Sequence, residues 1–252
     1  MNIRHILWTG GWDSTFRVCQ VLFSNKFVQP IYATHMGWQN EIIKSTFDKP
    51  NHIQKPAMLH EIQELENIRN SLSSKFPELY SRLLPIRFIP CRENDSDWKE
   101  EEKPLGPGIN QGRQYSLLRL ISDKVDKPIE LCIEKSPDGY NTVGDSLIPY
   151  AEKYEDVYRL KKDLPSELFD KNSINSLYNL QKFMFPLLHV TRKEMLEIAT
   201  KNGYADILKK TWSCREYRPN NKPCGECFCC KGRIRDGLWE PDPLNISHRF
   251  KQ

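Results

Sequence analysis

A chain of 252 residues, 38% hydrophobic and 28% charged, is long enough to bury a full core and has the composition of a soluble globular protein. Its 37 Lys and Arg against 33 Asp and Glu leave a formal net charge of +4, too mild to argue for a nucleic-acid partner. No apolar run approaches the roughly 18 residues of a membrane span. Ile6-Leu7-Trp8 is too short for a signal-peptide core, so a cytoplasmic protein with no membrane partner is expected.

Ile6-Leu7-Trp8 reads as a first strand, followed by the turn Thr9-Gly10-Gly11-Trp12-Asp13-Ser14-Thr15 and a helix burying Phe16, Cys19, Leu22 and Phe23. Two glycines between strand and helix let the backbone turn and approach a ligand, and the N–H groups opening the helix favour an anion. The hydroxyls of Thr9, Ser14 and Thr15 add donors, and Asp13 makes sense beside phosphate when Mg2+ bridges the two. The Walker-A lysine is missing and the spacing is not G-x-G-x-x-G. The plain alternative is an ordinary turn capped by Asp13 or Ser14.

Val28 to Ala33 reads as a second strand. Leu59, Ile62, Leu65, Ile68 and Leu72 form a helical stripe that has ended by Pro77. Ile86 to Ile89 is a third strand, Glu93 to Gly108 an acidic, proline- and glycine-rich loop. Tyr115, Leu118, Ile121 and Val125 mark another helix, and Ile129 to Ile133 a fourth strand. This alternation predicts an α/β fold, a doubly wound parallel sheet with helices on both faces. Asp138 to Leu168 shows no clear period. Thr191-Arg192-Lys193-Glu194 is a capping box opening a helix that Gly203 ends.

Of eight cysteines, Cys19, Cys91 and Cys132 are isolated and read as small core side chains, while five crowd into the 17 positions from Cys214 to Cys230. Cys214, Cys224, Cys227 and Cys230 offer four thiolates from two short turns, a donor set suited to structural Zn2+. Cys229 is left over, able to exchange roles with Cys230, and a redox-active Cys227/Cys230 pair is the rival reading. Lys222, Lys231 and Arg233 can offset the thiolate charge, although the basic run Lys231 to Arg235 reads most simply as solvated surface.

The loop and the closing motifs together resemble the 7-cyano-7-deazaguanine synthase family of N-type ATP pyrophosphatases. Its Ser-Gly-Gly-x-Asp-Ser loop corresponds to Thr9-Gly10-Gly11-Trp12-Asp13-Ser14, and its Gly-Arg helix start to Gly112-Arg113. Its C-terminal motifs correspond to Pro186-Leu187-Leu188-His189-Val190-Thr191-Arg192, Thr211-Trp212-Ser213-Cys214 and Cys224-Gly225-Glu226-Cys227-Phe228-Cys229-Cys230. Thr9 replaces the family's Ser, the stretch His35 to Gln39 lacks its Tyr-Gly-Gln-Arg-His, and Glu134 to Pro149 departs from its substrate segment.

The resemblance implies an adenine nucleotide alpha hydrolase-like (Rossmann-like) domain over residues 1–190, then a helix, a zinc-binding region and a tail over 191–252. It implies that ATP and Mg2+ bind at residues 9–15, with Asp13, Ser14, Arg113 and Arg192 catalytic and Zn2+ on Cys214, Cys224, Cys227 and Cys230. The reaction implied is adenylation of 7-carboxy-7-deazaguanine with pyrophosphate release, then amide and nitrile formation from ammonia, in a homodimer. Three alternatives stand beside it. One is a divergent relative joining the activated deazaguanine to a protein or other amine, as in an anti-phage defence system. The others are a tRNA thiolation enzyme and a non-catalytic, zinc-stabilised binding protein.

Overall fold

Residues alternate between two faces along the first strand, β1 (Ile3–Leu7): Ile6 is buried against one helical layer and Leu7 against the other. In the computed structural model, which describes residues 2–35, 55–91, 113–136, 143–169, 176–214 and 223–238, β1 lies in a five-stranded parallel sheet. The other strands are β2 (Phe27–His35), β3 (Arg87–Cys91), β4 (Ile129–Glu130) and, after the hairpin strands β5 (Ala151–Tyr154) and β6 (Val157–Leu160), β7 (Phe183–Met184). The order is β3-β2-β1-β4-β7. A sheet buried on both faces needs apolar residues at nearly every position, which explains the short unbroken runs in the sequence.

One face is covered by α1 (Trp12–Phe23) and α2 (Lys55–Lys75), the latter followed by the short α3 (Pro77–Tyr80). The opposite face is covered by α4 (Arg113–Lys124), α5 (Val143–Leu147) and the segment around Leu177 and Leu180. Near the C-terminus α6 (Arg192–Lys201) and α7 (Ala205–Lys209) rejoin the first core through Met195, Ala199, Tyr204, Ile207 and Leu208. The last described helix, α8 (Phe228–Arg235), carries Cys230. Among the described residues no helix is long and apolar enough to cross a membrane.

Chain direction from β1 diverges at one point. β2 pairs with β1 from Ile3↔Phe27 to Leu7↔Ile31, whereas β4 pairs only through His5↔Ile129 and Ile6↔Glu130. The fourth strand is therefore shorter than Ile129 to Ile133; beyond Glu130 the backbone turns to Met184, with Leu131 N–H donating to its carbonyl at 2.8 Å. The resulting gap beyond the carboxyl ends of β1 and β4 is the switch point at which open α/β sheets bind ligands. Behind it Arg17 of α1 grips Glu130 with Nε and Nη2 at 2.7 and 3.0 Å, both side chains almost wholly buried. The unplaced segment proves to hold α5 and the β5–β6 hairpin, which docks on the chain after β7 by reciprocal Tyr158 and Phe185 backbone bonds. The Glu93 to Gly108 loop, Gly112, His35's side chain and the proline-bearing tail lie outside the described residues.

Candidate functional site

The turn after β1 adopts the geometry its glycines allow. Gly10 has φ of +74°, the left-handed region that favours glycine, and a Cβ there would stand a tight 3.3 Å from the Glu61 carbonyl oxygen. Gly11 is extended (φ −74°, ψ 166°) and is the N-cap of α1 with no side-chain cap. Thr15 N–H to Gly11 O, at 3.0 Å, is the first backbone bond of the helix. The N–H groups of Trp12, Asp13 and Ser14 precede it and point out of the helix start, where an anion would meet them. The alternative of a turn capped by Asp13 or Ser14 does not match, because Ser14 Oγ is placed to donate back to the Gly11 carbonyl at 3.4 Å.

Four loop residues, Thr9, Gly11, Asp13 and Ser14, form the polar wall of a cavity of about 150 Å³ at the switch point. Leu7, Ala33, Leu118, Leu131 and Cys132 form its apolar wall. Cys132, expected in the core, thus borders the cavity, and burial with the nearby Glu130 charge pushes its thiol well above the usual range. Cys19 is in the core as expected. Trp12 and Thr15 face elsewhere: Trp12 is buried under the Arg233 guanidinium at 5.8 Å, and the Thr15 hydroxyl accepts from Trp8 Nε1 at 2.9 Å. Arg113 opens α4, and its side chain lies outside the described residues. A larger groove of about 560 Å³ between α2 and Lys209-Lys210 includes none of the loop residues.

Arg192 does reach the loop. As first residue of α6 its backbone is fixed by the capping box: Thr191 N–H donates to Glu194 Oε2 at 2.7 Å and Glu194 N–H to Thr191 Oγ at 3.3 Å. Its guanidinium meets three carboxylates, Asp13 Oδ1 from Nε at 3.5 Å, Asp236 Oδ2 from Nη1 at 3.3 Å and Glu134 Oε1 from Nη2 at 2.6 Å. Glu134 and Asp236 were not singled out by sequence. Glu134 follows β4 at the sheet's carboxyl edge, a position that flags ligand contact, whereas nothing local marks Asp236. Burial, with the Asp13 charge behind it, pushes the Glu134 carboxyl up to about 10 despite Arg192. Of the three, Asp13 is the carboxylate on the loop, where it could hold a divalent cation shared with phosphate.

The four sulfurs of Cys214, Cys224, Cys227 and Cys230 lie within 4.8 Å of one another, and could hold a metal ion. Tetrahedral thiolates on zinc stand about 3.8 Å apart, given a Zn–S bond of about 2.3 Å; Cys224 and Cys230 are at 3.9 Å. Backbone N–H groups already face the sulfurs, Cys224 N toward Cys214 Sγ at 3.2 Å and Cys227 N toward Cys224 Sγ at 3.2 Å. Cys230, not Cys229, completes the set. Arg233 is not solvated surface: it is 6% exposed, donating Nη1 to Thr211 O and, at 3.2 Å, to Ser213 Oγ. Burial, with the Arg192 charge also acting on it, lowers its guanidinium from the ordinary range.

Residues 170–239 match the family described as Queuosine biosynthesis protein QueC. Two curated relatives, 7-cyano-7-deazaguanine synthases of Prochlorococcus marinus strains AS9601 and MIT 9301, are 42% and 41% identical to this chain over 101 residues. Those residues are 40% of this chain and 38% of each relative, so the match spans well under half of either protein. The matched stretch includes Arg192 and all four clustered cysteines. Over residues 170–239 the chain is similar to the QueC family, and over 101 residues it is similar to 7-cyano-7-deazaguanine synthases.

Proposed function

We propose that this chain uses ATP to activate a carboxylate of the 7-carboxy-7-deazaguanine type, releasing pyrophosphate, and passes the acyl group to ammonia or another amine. The reading rests above all on the cavity at the switch point, where an anion-binding loop and an apolar wall face each other. Phosphates would lie against Thr9, Gly11, Ser14 and the open N–H groups of α1, and the adenine base against Leu7, Ala33, Leu118 and Leu131. The QueC-like C-terminal stretch supports the substrate class.

In the first step a substrate carboxylate oxygen attacks the α-phosphorus of ATP. The bond from that phosphorus to the bridging oxygen breaks, and pyrophosphate leaves with the negative charge. Arg192 and the helix N-terminus oppose that charge as it develops. Asp13 would hold magnesium, which neutralises phosphate oxygens when bound. The amine then attacks the acyl carbon, AMP departs, and the nitrogen's proton passes to solvent. A second ATP would activate the amide oxygen for loss to give the nitrile. No protein nucleophile is needed. The four cysteines would hold zinc in a structural role, since all coordination positions are filled by protein.

The test is pyrophosphate release with ATP, magnesium and 7-carboxy-7-deazaguanine, with and without ammonium, and products read by mass spectrometry. Substrate-dependent pyrophosphate that falls at least about a hundredfold in Asp13→Ala is expected. A nitrile product supports full synthase chemistry; an adenylate that ammonium does not consume points to a different amine. No turnover, or an Asp13→Ala protein equal to wild type, removes the reading.

A further inference from the structure

Arg192 is held in an unequal way. The bonds at its two terminal nitrogens, to Glu134 at 2.6 Å and Asp236 at 3.3 Å, come from residues outside the phosphate loop. The longest, from Nε to Asp13 at 3.5 Å, is the one that faces the loop. Asp236 is well placed to hold its end. Its side chain is 7% exposed, its Oδ1 accepts from Arg235 Nε at 2.9 Å, and its N–H donates to the Gly232 carbonyl at 2.9 Å. Arg192 lies against α8 at Gly232, where a Cβ would stand 3.4 Å from Nη1, at ordinary van der Waals contact. The backbone of Glu134 lies close under α5, where a Cβ on Gly144 would fall 2.0 Å from the Glu134 carbonyl oxygen.

We propose that Asp236 is a positioning residue for nucleotide binding: with Glu134 it fixes the Arg192 guanidinium at Nη1 and Nη2, so that Nε exchanges Asp13 for a phosphate oxygen when magnesium takes Asp13. The proposal rests on the nucleotide reading of the loop. It gives a role to a residue that follows the helix carrying Cys230, and it places part of the phosphate grip on the cysteine-bearing segment. Exchange at Nε is favoured because the contact to Asp13 is the longest of the three, and releasing it leaves Glu134 and Asp236 on the arginine while freeing the Asp13 carboxylate for the cation.

The experiment is calorimetric titration of the metal-loaded, full-length protein with magnesium ATP, for wild type, Asp236→Asn, Arg192→Gln and the double variant. Metal content per chain and melting temperature are recorded for each. Asp236→Asn is expected to weaken binding about tenfold in the wild-type background and to have little effect once Arg192 is Gln. Equal losses in both backgrounds would overturn the proposal, since Asp236 would then act on the fold and not through Arg192. Unchanged affinity in Asp236→Asn would overturn it as well. Arg192→Lys is a second probe that leaves Asp236 in place. Lysine keeps the charge but cannot be gripped at two nitrogens while presenting a third, so its affinity should fall like that of Asp236→Asn; full affinity sinks the two-point hold. A wild-type protein that binds no magnesium ATP removes the nucleotide reading itself, a result distinct from all of these.

Discussion

Two influences oppose each other on the carboxyl of Glu134. Arg192 at 2.6 Å favours the charged form; burial, the Asp13 charge and a hydrogen bond with Asp13 favour the neutral one. The second set is larger, and the group is pushed from its ordinary 4.5 up to about 10. The sign of the consequence follows from proton counting. Between those values the folded chain holds a proton that the unfolded chain has lost, so stability falls as pH rises across the window. Glu134→Gln keeps a neutral hydrogen-bonding side chain and removes the titration. Melting temperatures of nucleotide-free protein, taken from about pH 6 to about pH 9, should show the variant gaining on wild type as pH rises. A gap that stays constant with pH would mean that Glu134 is ionised throughout.

Elements with a local cause were legible in the sequence. Thr191 and Glu194 announce their helix because both partners of the box lie within one turn, and the hydrogen bonds that Glu194 accepts from the Thr191 N–H and hydroxyl hold its carboxyl below the usual range. Thr191→Ala removes half of the box and should cost about 1 kcal/mol in chemical denaturation; a difference within error would show that packing of Met195 and Ala199 alone holds the helix start. The loop after β1 and the stripe Leu65, Ile68, Leu72 on α2 were legible for the same reason. The β5–β6 hairpin was not, because Lys153 and Tyr154 are exposed and its strands show no clean alternation. The Arg192 cluster was half legible. Asp13 and Arg192 stood in recognisable motifs, but Glu134 and Asp236 join them only through folding, and an ion pair between distant residues leaves no local trace.

On the scale of the whole molecule, the cysteine-bearing segment holds the loop after β1 at several points. Trp212, two residues before Cys214, donates its N–H to the Gly10 carbonyl at 3.1 Å and stacks on His60 of α2 with ring centres 4.9 Å apart. Arg233, three residues after Cys230, ties to Thr211 and Ser213 and covers Trp12 of the loop. With a metal on the four sulfurs the cluster would set the backbone path of each contact, since a site of this kind has its binding energy spent on folding the segment around it. Stripping the metal with a strong chelator should therefore loosen residues 9–15 as well as the segment itself. Hydrogen exchange of the loop amides is expected to rise and affinity for magnesium ATP to fall about tenfold or more, while the amides of β1 and β2, held by the parallel ladder, stay protected. Restoring zinc should reverse both changes. If the loop amides exchange at the same rate with and without metal, the cysteine cluster stabilises only its own segment, and Trp212 and Arg233 keep the loop in place unaided.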